Sequence, residues 1–402
     1  MATPSFWMHD DPNITMDGWS RVCDSEWRAD VELLRLLRAH PSRVAQPELA
    51  TLFIVTTPLY QSFACDGSGS RTQAARHRER ADAAMHALTT SPWFLRRGGH
   101  DHLMPGHHWR FSQWAYEDPK TERLLRREWW ALLANVTQTR YEYYPFGNDT
   151  ETVSRYPKSM GPMTNWQMTR RSVVVPYSTP PELQLAQLEP PDYSWPSWRA
   201  RNVTVFYQTR RGNPPLAHGS APLRHCAPTH PENWGSHALI GFGLPRAAWL
   251  RGWNASRFCL VTRGDTPTSH SLYNALAGAC IPVVVSDDID AVGTPPFGIA
   301  PIERFAVRIH EADFLRAPQA VLPRLLALPD ATLRGYLAAM ADAQRALLMA
   351  HPSSEVASHA LRHMAAQLRP LGLAHRVGGH CGGRDSREGH CGGRQWEWKD
   401  RL

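Results

Sequence analysis

Apolar residues in this chain fall into short runs that alternate between two periods. Glu26–His40 (EWRADVELLRLLRAH) spaces its valine and leucines at three- and four-residue steps, which predicts an amphipathic helix. Leu49–Tyr60 (LATLFIVTTPLY) is a dense apolar and β-branched run closed by Pro58, the pattern of a buried strand. Helix-forming composition returns at Arg71–Leu88. A short strand candidate, His102–Met104, lies between Gly98-Gly99 and Pro105-Gly106. Thr121–Ala134 then reads as helix and Ser172–Tyr177 (SVVVPY) as strand. The alternation restarts beyond residue 200, with strands expected at Asn202–Gln208, Arg257–Thr262, Cys280–Ser286 and Phe305–His310. Helices should cover Asp313–Leu328, Asp330–Ala350 and Ser354–Leu368. Strands alternating with helices build parallel sheets clad in helices, so the expected class is α/β.

The stretch Pro180–Pro196 holds five prolines and resists regular structure, so it reads as a connector. The expected organisation is a lead-in (1–25), an N-terminal lobe (26–178), a Pro-rich linker (179–200), a C-terminal lobe (201–370) and a flexible tail (371–402). The two lobes should face each other across a cleft. The tail reads GHCGGR twice, at Gly379–Arg384 and Gly389–Arg394. Its His-Cys pairs match no familiar zinc spacing, and duplication in a Gly-rich tail accounts for them better.

Composition narrows the picture. At 402 residues, 42% hydrophobic and 20% charged, the chain has material for sizeable cores. No apolar run approaches the roughly 20 residues that cross a bilayer, and the first residues lack the pattern of a cleavable signal. The formal charge of +7 is carried almost wholly by arginine, since Lys120, Lys158 and Lys399 are the sole lysines. Arginine suits a bidentate grip on phosphate. There is no basic stripe or arm, so nucleic acid is not an expected partner. Five of nine asparagines head an Asn-x-Ser/Thr sequon: Asn13, Asn135, Asn148, Asn202 and Asn254. The seven cysteines lack zinc-finger spacing and leave any disulfide pairing open. Together these imply a lumenal domain, joined to a membrane solely through an anchor missing from this sequence.

The chemistry concentrates in Arg257–Ile289 (RFCLVTRGDTPTSHSLYNALAGACIPVVVSDDI), which reads as strand, turn, helix, strand. Gly264 permits the turn, Asp265 or Thr266 suits an N-cap, and Pro267 falls at the first helical position. The helix then starts beyond the carboxyl end of a parallel strand, where its unpaired N–H groups form an anion site. Thr266, Thr268 and Ser269 add hydroxyls, and a diphosphate is the ligand such a site would take. No Asp-x-Asp metal motif is present. Asp287-Asp288 with Asp290 reads as a loop cap, so neither a metal nor another cofactor is expected.

These residues carry a resemblance. FCL-x-x-x-GDTPTS followed by L-Y-x-A-x-x-G-x-CIPVVVSDDI resembles the signature of the exostosin-like glycosyltransferases. Gly99-His100-Asp101-His102, VVVPY at 173–177 and FAVRIHEAD at 305–313 agree in order. The resemblance implies a GT-B type fold with two facing Rossmann-like lobes. It also implies a nucleotide-sugar donor, UDP-linked, held by the second lobe, and a glycan acceptor held by the first. It places the protein on the lumenal face of the Golgi as a type II membrane protein, and admits a homo- or hetero-dimer. Donor contacts are expected from Gly264, Asp265, Thr266, Thr268, Ser269 and Asn274, with positive charge from Arg210, Arg211 and Arg263. Asp101 with His102, at a Gly-rich strand edge facing the cleft, is the expected base. Trp109, Trp114 and Tyr141–Tyr144 suit either sugar stacking or core packing. The sequence departs from the family pattern at Ser271, where an arginine is usual, and at Asn274 and Gly298, where acidic residues are usual. An alternative is therefore a degenerate member that binds glycan or partner without catalysis.

Overall fold

The computed structural model describes residues 3–16, 28–67, 71–106, 125–126, 128–129, 133–141, 172–190, 193–209, 237–263, 267–290 and 296–368. Two five-stranded parallel sheets organise them. The first contains β1 (Phe6–Met8), β2 (Leu52–Ile54), β3 (His102–Met104), β4 (Thr137–Arg140) and β5 (Ser172–Val174), paired in chain order. The second contains β6 (Val203–Thr209), β7 (Ala238–Phe242), β8 (Ser256–Thr262), β9 (Ile281–Val285) and β10 (Val307–Arg308), in the order β7-β6-β8-β9-β10. This is the two-lobed α/β architecture that the alternating pattern predicts.

Side-chain alternation sorts the first lobe into two layers. Phe6, Met8, Leu52, Ile54, Leu103 and Val173 face α1 (Ala29–Arg38) on one side of the sheet. Val55 and Met104 face α2 (Arg71–Thr90) on the other. The second lobe packs β6, β8 and β9 against α3 (Arg246–Ala255) and α4 (His270–Ala277), with α5 (Glu311–Arg316) following β10 and α6 (Asp330–Leu347) lying on α4.

Four expectations need correction. The lead-in is not structureless: Phe6–Met8 is a strand of the first sheet, parallel to β2. The Pro-rich connector is no free linker. Leu183, Leu188, Trp195 and Trp198 are buried in the second-lobe core, the last two in a short helix, Trp195–Arg199. The helix expected over Asp313–Leu328 is broken into α5, a turn at Pro318–Ala320 and Val321–Leu326, as Pro318 dictates. Finally α7 (Val356–Leu368) belongs to the first lobe rather than the second. Val356, Ala360, Leu361 and Met364 join the core of Phe6, Leu34 and Ile54, and Gln367 donates to the Ser172 carbonyl.

One disulfide, Cys259–Cys280, ties β8 to the residue before β9, and Cys65 is also disulfide-bonded. Among the described residues no helix is long and apolar enough to cross a membrane.

Candidate functional site

The second sheet reverses its strand order between β6 and β8, and in open parallel sheets ligands bind outside the carboxyl ends of the strands at such a point. The strand tips there are joined by a hydrogen bond between Tyr207 and Thr262 hydroxyls at 3.0 Å. Ser286, just past β9, donates to the Pro267 carbonyl at 2.7 Å and fixes the path into α4. The helix begins at Ser269, not at the expected Asp265 or Thr266. The Ser269 Oγ accepts the Ser271 N–H, satisfying one of the orphan donors of the first turn. Thr268 is buried beside it.

Asn274 lies one turn along, 1% exposed. Its Nδ2 is 3.1 Å from His270 Nδ1, and its Oδ1 has no hydrogen-bond partner among the described residues. A buried amide oxygen left without a donor costs about 1–3 kcal/mol, so the site is suited to an incoming hydroxyl or N–H. Gly264, Asp265, Thr266, Arg210 and Arg211 lie outside the described residues. Gly298 is exposed with open space around its Cα.

Arg263, expected to supply positive charge, already has a partner. Its Nε is 2.9 Å from Glu311 Oε2, at the start of α5. Glu311 also accepts the Asp287 N–H, and Asp287 accepts the Glu311 N–H, each at 3.2 Å. Burial raises the Glu311 pKa against the opposing pull of Arg263. Asp287 has its carboxylate in this knot, where it caps the start of α5 rather than the loop that follows it, and Asp290 pairs with Arg308. Glu311 and its exchange with Asp287 escaped sequence reasoning, because 24 residues separate partners that only the β9–β10 pairing brings together.

A ring at the end of the first lobe meets this helix. Tyr177, past the end of β5, stacks on Tyr141 with centroids 3.7 Å apart and turns toward His270 at 5.6 Å and Tyr273 at 5.7 Å. The first turn of α4 therefore lies where the two lobes touch.

Asp101 and His102 are not open to a cleft: both are 0% exposed, Asp101 just before β3 and His102 its first residue. Gly99, at φ +80, makes the turn that aims Asp101 inward, where Arg96 (2.9 Å) and Arg97 (3.4 Å) pair with it. His102 Nδ1 lies 2.9 Å from Asp101 Oδ1, and its Nε2 lies 3.1 Å from Nε2 of His9, past the end of β1. Burial alone would raise the Asp101 carboxyl, but the His102 hydrogen bond and Arg96 outweigh it and hold it below the carboxylate range. Burial lowers His102 despite Asp101. His9 is pushed down to about 3 by burial and by His102. The group is a neutral imidazole pair anchored on a buried carboxylate, and it links the end of β1 to β3 over Phe53.

Residues 7–325 match the Exostosin GT47 domain. A probable glucuronosyltransferase of Oryza sativa subsp. japonica is 24% identical over 343 residues, 83% of this chain and 69% of that protein. A probable beta-1,4-xylosyltransferase of Arabidopsis thaliana is 23% identical over 293 residues, 71% of this chain and 62% of that protein. The chain thus spans about two thirds of the length of these relatives. Among solved structures, the calicheamicin glycosyltransferase CalG4 aligns with 92% of this chain and 100% of its own at 12% identity and a TM-score of 0.33. With the domain match covering most of its length, the chain belongs to the exostosin GT47 family of glycosyltransferases.

Proposed function

We propose that this protein transfers a sugar from a UDP-linked donor to a glycan or glycoprotein acceptor on the lumenal face of the Golgi. The observation that carries the reading is the meeting of α4's first turn with Tyr177, beside the strand-order reversal of the second sheet. Glycosyl transfer must stabilise a departing diphosphate, and backbone amides with hydroxyls at a helix start supply that stabilisation without a metal. Thr268 and Ser269 contribute the hydroxyls, the Asn274 Oδ1 accepts from the donor, and Glu311 with Asp287 offers carboxylates to its hydroxyls. The relatives' names point to UDP-glucuronic acid and UDP-xylose as the first donors to try. Turnover of either by the folded chain is the expected result. A chain that turns over none of a UDP-sugar panel is no transferase of this kind.

A second reading, binding without chemistry, is favoured by one observation: Arg263 is committed to Glu311 while Ser271 brings no charge to the helix start. Ser271→Arg should tighten UDP about tenfold in calorimetry, the worth of one charge-assisted contact. Unchanged affinity would remove the idea that the missing arginine weakens this site.

A further inference from the structure

We propose that Asn13 and Asn202 are sites of N-linked glycosylation, whereas Asn135 and Asn254 stay unmodified. The inference is independent of the transferase reading. Its first support is the excess of sequons, which the catalytic site does not use. Its second is the disulfides, Cys259–Cys280 and that of Cys65, which persist in the oxidising compartments where this modification occurs.

Position in the fold separates the four sequons that the structure describes. Asn13 is exposed on the short helix Pro12–Thr15, turned outward because Ile14 beside it is buried at 1%. Asn202 is exposed at the bend that leads into β6, at the amino edge of the second sheet and away from the strand tips. Asn135 is half-buried between Leu133 and Val136, 0% and 3% exposed, and its Nδ2 faces Gly98 in the turn beside Asp101. Asn254 is half-buried and its Nδ2 donates to the Gln184 carbonyl at 2.8 Å, holding the Pro-rich connector on α3. A sugar on Asn135 or Asn254 would have to displace those neighbours, so a chain modified there would not close.

In the modification, the amide nitrogen bonds to the anomeric carbon of an oligosaccharide while that carbon's bond to a lipid diphosphate breaks. The amide proton passes to a base of the modifying enzyme and the diphosphate leaves on its lipid carrier. The test is secretion of the full chain from a eukaryotic host behind a cleavable leader, then peptide-N-glycosidase release in heavy-oxygen water and peptide mass mapping. Labelled aspartate is expected at 13 and 202 and absent at 135 and 254. Asn13→Gln and Thr15→Ala should each remove the same single glycan, and Asn202→Gln should remove the other. Asn254→Gln should remove none. An unlabelled 13 or 202, or label at 135 or 254, overturns the assignment. Peptide mapping keeps Asn148, outside the described residues, separate from this outcome.

Discussion

His9 and His102 meet through their Nε2 atoms over the ring of Phe53, and their charge state sets how this lobe responds to acid. Because folding depresses the His9 pKa from 6.5 to about 3, the unfolded chain takes up that proton first as pH falls. His9's contribution is therefore complete above about pH 6.5 and is lost progressively down to about pH 3, at about 1.4 kcal/mol per pH unit. Asp101, lowered in the folded state, acts in the same direction: its contribution holds above the unfolded carboxylate value and fails as pH drops through the folded one. Denaturant melts at pH 7 and pH 5 should show falling stability, and His9→Gln should flatten the slope by one proton. A slope unaltered by His9→Gln would refute the neutral-pair description. Asp101→Asn should cost about 1–3 kcal/mol, because it removes the buried carboxylate that accepts from His102 and Arg96. The residue types here stood out in the sequence as a carboxylate beside an imidazole. Their depth did not, since it depends on β1, and FWM is too short to display any alternation.

The far end of α4 shows how an element is held. The Cys280 N–H bonds to the Ala275 carbonyl and the Ala279 N–H to Leu276, the paired bonds of a Schellman ending. The left-handed position that such an ending needs falls on Ala279 (φ 49), while Gly278 is at φ −79. Glycine is required at 278 for another reason: a Cβ there would sit 2.5 Å from the Trp253 carbonyl oxygen on α3. Gly278→Ala should thus cost about 1–3 kcal/mol by overpacking. Ala279→Gly should stabilise by about 1 kcal/mol by relieving the left-handed alanine. Thermal melts of the two variants moving the same way would contradict this division. The helix and both flanking strands were legible from apolar runs, and the tight residue is a glycine that the sequence displays. What its absent side chain makes room for is set by a helix, Arg246–Ala255, whose scattered apolar positions gave no clear period. Strand β4 (TQTR) was equally hidden, a buried strand built from polar residues.

At the scale of the molecule, the connector is fastened to the second lobe and α7 to the first. Arg201, where the connector enters β6, gives its guanidinium to the carbonyls of Ser256 and Ala279, and burial pushes its pKa down to about 10. Helix α7 leaves the second lobe and closes the core of the first, with Leu361 fully buried against it. Leu361→Ala should therefore cost about 2–5 kcal/mol and lower the melting of the first lobe, although the residue follows the second in sequence. Calorimetry that finds the loss confined to the second lobe would contradict that placement. Two lobes of alternating strands and helices could be read directly from periodicity. The assignment of α7 could not, because an amphipathic helix does not state which sheet its apolar stripe will cover.

That crossing helix has a consequence for synthesis. His40 and Ser358, which hydrogen-bond across it, are 318 residues apart in the chain. Phe6, Leu34 and Ile54 emerge from the ribosome early, yet one flank of their layer stays uncovered until residues 356–368 have followed. The second lobe gathers its strands from a continuous stretch and can consolidate first. The first-born half is then the last to be sealed, and in the interval its bare apolar flank is what holding chaperones would meet.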